Sequence, residues 1–341
     1  MNNKRVAELV LLLFFLFLIS ACSNPGQRQQ STLNGSTMGT VWSVKFITSA
    51  TSHLTESQVN ATINAELQRI DQLLSTYLEN SELSRFNRNR STEWIAVSKD
   101  FVEVMAEASK ISQLTNGAFD VTVAPVVNLW GFGSDGSITE IPDEDAIKQA
   151  LHKIGYRQIE VDIANQRLRK LIPDISVDLS AIAKGYAVDQ VALSLEKLGI
   201  MEYLVEVGGE LRANGHNLAD VAWKVGVEVP TPQLRQVYQA IQLDNQSVAT
   251  SGDYRNYFEI AGQHFAHTID PVTARPVKHT LASVTVVAPN TMQADGWATA
   301  FMVLGVEKGF AIAEQQQLAV LFISRTADSF TDRATTAFIR R

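Results

Sequence analysis

Apolar and polar residues alternate over 40–47, with Trp42, Val44 and Phe46 on one side, a period of two that predicts a first β-strand. The period then changes. Val59, Ile63, Leu67, Ile70 and Leu74 recur at helical spacing behind a capping-box pair, Thr55 and Gln58. Ser98 starts a second predicted helix through Phe101, Met105, Ala108 and Ile111, which Asn116-Gly117 stops. A third is predicted over 142–154 with Gly155 after it, and a fourth through Val188, Val191, Leu195 and Leu198, closed by Gly199. Asn290-Thr291 caps another through Met292, Ala298 and Leu304. Short β-rich runs occupy 203–207, 221–229, 257–260, 281–288 and 318–324. No internal repeat or Pro/Gly-rich break divides the chain, so the pattern predicts one α+β unit with two lobes over 35–335.

The first residues follow a different logic. Lys4 and Arg5 precede an apolar run over 9–19, and the small residues Ser20 and Ala21 lead to Cys22. This predicts a secretory signal over 1–21, because the run is too short to span a bilayer. Leu18-Ile19-Ser20-Ala21-Cys22 resembles the bacterial lipobox, which implies lipid on Cys22 and a polar tether over 22–34. The chain would then sit lipid-anchored on the periplasmic side of a bacterial membrane, with the inner membrane as the expected location. Cys22 is also the single cysteine, which excludes disulfides, cysteine-held metal clusters and a catalytic thiol. A net charge of -7 argues against nucleic acid as the partner.

Several segments invite chemistry. Gly131-Phe132-Gly133-Ser134-Asp135-Gly136 fits G-x-G-x-x-G, but the residues up to Pro142 delay any helix, so it reads as a loop and not a dinucleotide site. His264 and His267 have the spacing of a helical metal pair in a stretch that looks extended, which sets them on different faces. A single histidine in His267-Thr268-Ile269-Asp270-Pro271 retains the chemistry of a general base. Asp295 and Thr299 are four apart on a predicted helix, an oxygen pair of the kind that holds Mg²⁺. Asp178 to Gly185 places an acid, small residues and Lys184 at the start of a helix, where free N–H groups attract phosphate.

Taken in order, these segments resemble the ApbE family of FAD:protein FMN transferases. The resemblance is carried by Met38-Gly39-Thr40, Ser75-Thr76-Tyr77, Ser84-Arg85-Phe86-Asn87, Thr115 to Asp120, Asp178 to Gly185, Glu206 to Glu210, Ser247 to Tyr254, His267 to Pro271 and Ala294 to Thr299. It implies a two-lobed, T-fold-related α+β domain. It implies FAD bound by Met38, Tyr77, Ala118, Phe119, Asp120, Asp178, Lys184 and Ile269. Mg²⁺ would be held by the carbonyl of Ala181 and the side chains of Asp295 and Thr299. Some members carry a second acid immediately before the metal-binding threonine, where this chain has Ala298.

The reaction so implied moves FMN from FAD to a threonine hydroxyl of an acceptor protein, a flavoprotein subunit of a redox-driven ion pump, and releases AMP. His267 or Asp270 is the expected base for that hydroxyl, and the sequence does not choose between them. Two rival expectations remain: metal-dependent hydrolysis of FAD to FMN and AMP at the same residues, and a lipoprotein that binds flavin without chemistry.

Overall fold

Eight strands pair edge to edge in the order in which they occur along the chain, every neighbouring pair antiparallel. They are β1 (Arg28–Thr37), β2 (Thr40–Ser49), β3 (Tyr203–Val207), β4 (Glu210–Asn214), β5 (Ser247–Gly252), β6 (Leu281–Ala288), β7 (Ala319–Arg325) and β8 (Phe330–Ala334). This computed structural model describes residues 28–49, 51–132, 138, 140–231, 236–253, 257–260 and 263–340. Cys22, the expected signal, the start of the expected tether, Gly133 to Gly136 and Tyr254 lie outside the described residues.

Two hairpins show why the meander forms where it does. Met38 and Gly39 both have positive φ, 47° and 70°, between the paired residues Thr37 and Thr40. That two-residue turn matches the twist of the strands it joins. Gly208 and Gly209, at 63° and 104°, repeat it between Val207 and Glu210.

The expected polar tether is shorter than its composition suggests, because β1 begins at Arg28. An antiparallel edge strand with one face in water needs no apolar run. Arg28 also anchors it, with Nη2 2.6 Å from Glu202 and Nη1 3.1 Å from Asp220.

Four helices cover one face of the sheet: α1 (Glu56–Leu74), α2 (Lys99–Leu114), α3 (Ala183–Lys197) and α4 (Thr291–Gln315). Thr55 and Gln58 form the full capping box on α1, and Ser98 and Asn290 cap α2 and α4. The helix expected over 142–154 is shorter, Glu144–Leu151, and its cap is Asp143. The other face is covered by the hairpin of Trp223–Glu228 with Val237–Leu243 and by a C-terminal helical turn. Buried from both sides, β6 is apolar or small throughout and inaccessible at every position. A smaller cluster outside these layers gathers Val126, Trp130, Ile147, Ala150, Ile269 and Ala274. The α+β class is as expected.

Candidate active site

Helices α3 and α4 meet at a glycine. A methyl group added at Gly185 would lie 2.4 Å from the carbonyl oxygen of Thr291 and 2.8 Å from Cβ of Asp295, so only hydrogen lets the backbones approach this closely. The Gly185 N–H then donates to Asp295 Oδ2 at 3.0 Å. One turn further along α3, Asp189 accepts from the first two amides of α4, Thr291 and Met292, both at 2.9 Å. This carboxylate caps a helix to which it does not belong. Burial pushes its carboxyl above the ordinary range, against the opposing pull of the two amides and Arg212, whose Nη1 lies 3.1 Å away.

The same crossing gathers charge. Lys184 Nζ lies 3.0 Å from Glu210 Oε1 and 3.5 Å from Asp295 Oδ1. The side chains of Glu210 and Asp295 are 6% and 3% exposed, that of Lys184 29%. Burial works against the Lys184 charge, but Asp295 and Glu210 outweigh it and hold the ammonium above the ordinary lysine range. Burial pushes the Glu210 and Asp295 carboxyls up, with Lys184 pulling both the other way. Glu210 Oε2 is buried without a hydrogen-bond partner among the described residues. Thr299, one turn after Asp295, has its hydroxyl 3.3 Å from Ser251 Oγ on β5. Gly208 closes the far side, its missing methyl only 3.0 Å from Thr40 Cγ2 and 3.2 Å from Lys184 Cδ.

Oxygen donors of this kind suit a hard divalent cation. Asp295 Oδ1 faces the ammonium at 3.5 Å, and the adjacent Glu210 Oε2 is a buried acceptor with no donor among the described residues. The residues therefore fit the ion expected from sequence. The one other trio of potential ligands among the described residues, Glu202, His216 and Asp220, already has a resident cation in Arg28.

The expected phosphate-binding helix start is less open than its sequence implies. The Ala183 N–H donates back to Leu179 at 2.8 Å, and the Gly185 N–H is used by Asp295. Asp178 precedes this start, with its N–H on the Val121 carbonyl at 2.7 Å and Oδ1 accepting from Ser180 at 2.9 Å. That places the loop of Ala118, Phe119 and Asp120 beside it. Ala118 and Phe119 are 5% and 2% exposed and form the wall behind the loop. Asp120 uses both oxygens inside the protein, accepting from Thr122 N and Oγ1 at 2.8 and 2.6 Å and from Tyr156 N at 2.8 Å. Met38 packs at the β1–β2 turn, and Tyr77 presents a ring that is 84% exposed, free to stack.

Ile269 belongs to the smaller cluster with Trp130. Beside it, His267 meets the edge of Phe132 with ring centroids 6.4 Å apart. Asp270 folds the following turn, accepting from Val272 N at 2.9 Å and Thr273 Oγ1 at 3.0 Å. His264 lies in the strand Gln263–Ala266, paired with Tyr257–Ile260, so the expected extended stretch is a hairpin.

Sequence reasoning assigned no role to Glu210, Asp189 or Ser251. Glu210 follows the Gly208-Gly209 turn, the one local hint; Asp189 looks like any helical acid until α4 is placed against it. Asn87 closes the Ser84-Arg85-Phe86-Asn87 motif. Its side chain pairs with both backbone groups of Val177 at 2.8 Å, immediately before Asp178.

The chain is similar to known proteins along most of its length. The ApbE family profile matches residues 38–322. The FAD:protein FMN transferase of Haemophilus influenzae is 40% identical over 339 residues, 98% of this chain and 97% of that one. That of Escherichia coli K12 is 38% identical over 336 residues, 96% and 93% of the two chains. Among solved structures, the flavin transferase ApbE from Vibrio cholerae superposes with a TM-score of 0.84 at 39% identity, covering 92% of this chain and 99% of that one. The Pseudomonas stutzeri flavinyl transferase ApbE in its apo form gives 0.84 at 37% identity, with 92% and 97% covered. Matched by the family profile over residues 38–322 and 38–40% identical to these transferases over nearly its whole length, the chain belongs to the ApbE family.

Proposed function

We propose that this chain is an FAD:protein FMN transferase that moves the FMN half of FAD onto a threonine hydroxyl of an acceptor protein and releases AMP. The observation that carries the reading is the cluster of Lys184, Asp295 and Glu210 with Thr299 one turn away, in a chain whose relatives at 38–40% identity are transferases of this name. FAD is the substrate, contacted by Met38, Tyr77, Ala118, Phe119, Asp120, Asp178, Lys184 and Ile269.

Asp295, Thr299 and the Ala181 carbonyl would hold Mg²⁺, and what the ion supplies there is neutralisation of pyrophosphate charge. The acceptor oxygen forms a bond to the riboflavin-side phosphorus, and the bond from that phosphorus to the bridging oxygen breaks, so AMP leaves with the electron pair. Lys184 orients the phosphates. The hydroxyl proton goes to His267, an imidazole being the side-chain type best matched to proton transfer near neutral pH, while Asp270 orders its own turn. The acceptor class we favour is a flavoprotein subunit of a redox-driven ion pump. We further propose that Cys22 carries lipid and tethers the domain on the periplasmic side of the inner membrane, a reading supported by the lipobox-like sequence alone.

The purified protein, FAD and Mg²⁺ should be incubated with and without a threonine-containing acceptor. Covalent fluorescent flavin on the acceptor and one AMP per flavin attached are expected. FMN and AMP in equal amounts without labelling would make the chain a hydrolase, and FAD binding without AMP would make it a carrier. Cys22→Ser should move the protein from the membrane to the soluble fraction.

A further inference from the structure

Glu210 belongs to none of the FAD- or metal-binding positions above, yet it is the closest charged partner of Lys184 and stands beside Asp295. We infer that Glu210 is a positioning residue that holds the Lys184 ammonium away from Asp295, so that one site can serve the anionic phosphates and a divalent cation together. The inference rests on the reading of Asp295 as a metal ligand.

The argument is one of charge and distance. A buried carboxylate requires a partner, and an ammonium between two such acids settles nearer the one that holds it better. Lys184 is 3.0 Å from Glu210 and 3.5 Å from Asp295, so its shorter hydrogen bond goes to Glu210. Asp295 Oδ2 is secured separately by the Gly185 N–H. Its Oδ1 meets the ammonium only at the longer distance of 3.5 Å, a contact that a cation can displace more readily than the 3.0 Å bond to Glu210.

With both carboxyls ionised, Lys184, Glu210 and Asp295 together carry one net negative charge, which a divalent cation turns into one net positive charge. That is a surface suited to a pyrophosphate. Without the Glu210 charge, Lys184 has Asp295 as its one remaining buried partner and moves onto it, and the cation meets a neutral cluster. Removing the Lys184 charge as well returns the cluster to its original net charge and frees Asp295.

The test is calorimetric titration of Mn²⁺ into the full-length protein without FAD, for wild type, Glu210→Gln, Lys184→Gln, the double variant and Asp295→Asn. Circular dichroism and thermal melting confirm that each variant is folded. Glu210→Gln is expected to weaken Mn²⁺ about tenfold, a change of about 1.4 kcal/mol. Lys184→Gln should tighten it, and the double variant should return to within about threefold of wild type, the range of ordinary context effects. That rescue is the decisive readout, because a merely structural Glu210 would be damaged equally in both backgrounds. If Asp295→Asn binds Mn²⁺ as wild type does, or wild type binds none, the metal-site reading fails and takes this inference with it. If Asp295→Asn loses the ion while Glu210→Gln binds normally, or the double variant stays weak, the metal site stands and the role given to Glu210 is overturned.

Discussion

Gly185 and Asp295 are joined by a 3.0 Å hydrogen bond from the backbone of one helix to the carboxylate of another, at a point where a single methyl group would not fit. Replacing Gly185 by Ala forces α3 and α4 apart, because the obstacle is the Thr291 carbonyl and not a flexible side chain. Overpacking of this kind costs about 1–3 kcal/mol. Thermal unfolding should show a loss of several degrees, and Mn²⁺ titration should show weaker binding, since Asp295 loses its fixed orientation.

Asp189 caps α4 from outside, so Asp189→Ala leaves the Thr291 and Met292 amides and Arg212 without this acceptor. Breaking a buried pair by removing one partner costs about 3–5 kcal/mol. Asp189→Asn should cost less, because its carbonyl oxygen keeps an acceptor for one amide. Urea unfolding midpoints of the two variants rank these outcomes.

Lys170 is fully buried, with Nζ 2.9 Å from the Asn87 carbonyl and 2.7 Å from that of Asn89. Burial lowers its pKa from 10.5 to about 8. Between these values the unfolded chain binds more protons than the folded one, so stability rises with pH through this window. Below about pH 8 the folded chain carries the charge and its burial cost. Urea midpoints should therefore rise for wild type relative to Lys170→Met from pH 8 to 10.5, by on the order of 2 kcal/mol. Parallel curves for the two proteins would contradict it.

His267→Ala should lower the rate of FMN transfer by about 100-fold or more, the usual worth of a positioned general base. Asp270→Asn should cost far less, because the amide keeps an acceptor oxygen for the 270–273 turn. Covalently attached flavin, read by fluorescence after gel separation, measures both. Equal rates for wild type and His267→Ala would exclude this histidine as the base.

The helices were legible because their signals are local. Thr55 with Gln58, Ser98 and Asn290 cap the helices that the pattern assigned to them, and Leu281–Ala288 is a strand over the expected residues. Strand β1 was not legible, because half of an edge strand faces water and its polar residues read as linker. The strand Glu210–Asn214 was missed for a related reason: a buried acid opens it, and burial of a charge is tolerated only because Lys184 stands opposite.

By itself, the order of residues determined the α+β class, the main helices and the family to which the chain belongs, since capping, periodicity and motif identity are properties of neighbours in sequence. It also placed Asp295 and Thr299 on one helical face. Only the tertiary structure decided that Lys184, Glu210 and Asp295 share a site, that Asp189 caps a helix 102 residues away, and that Asp120 ties its loop to Tyr156. Those relationships depend on which backbones can approach, and at Gly185 that is set by the space left by one absent methyl group, a quantity defined by the partner helix and not by the sequence around it.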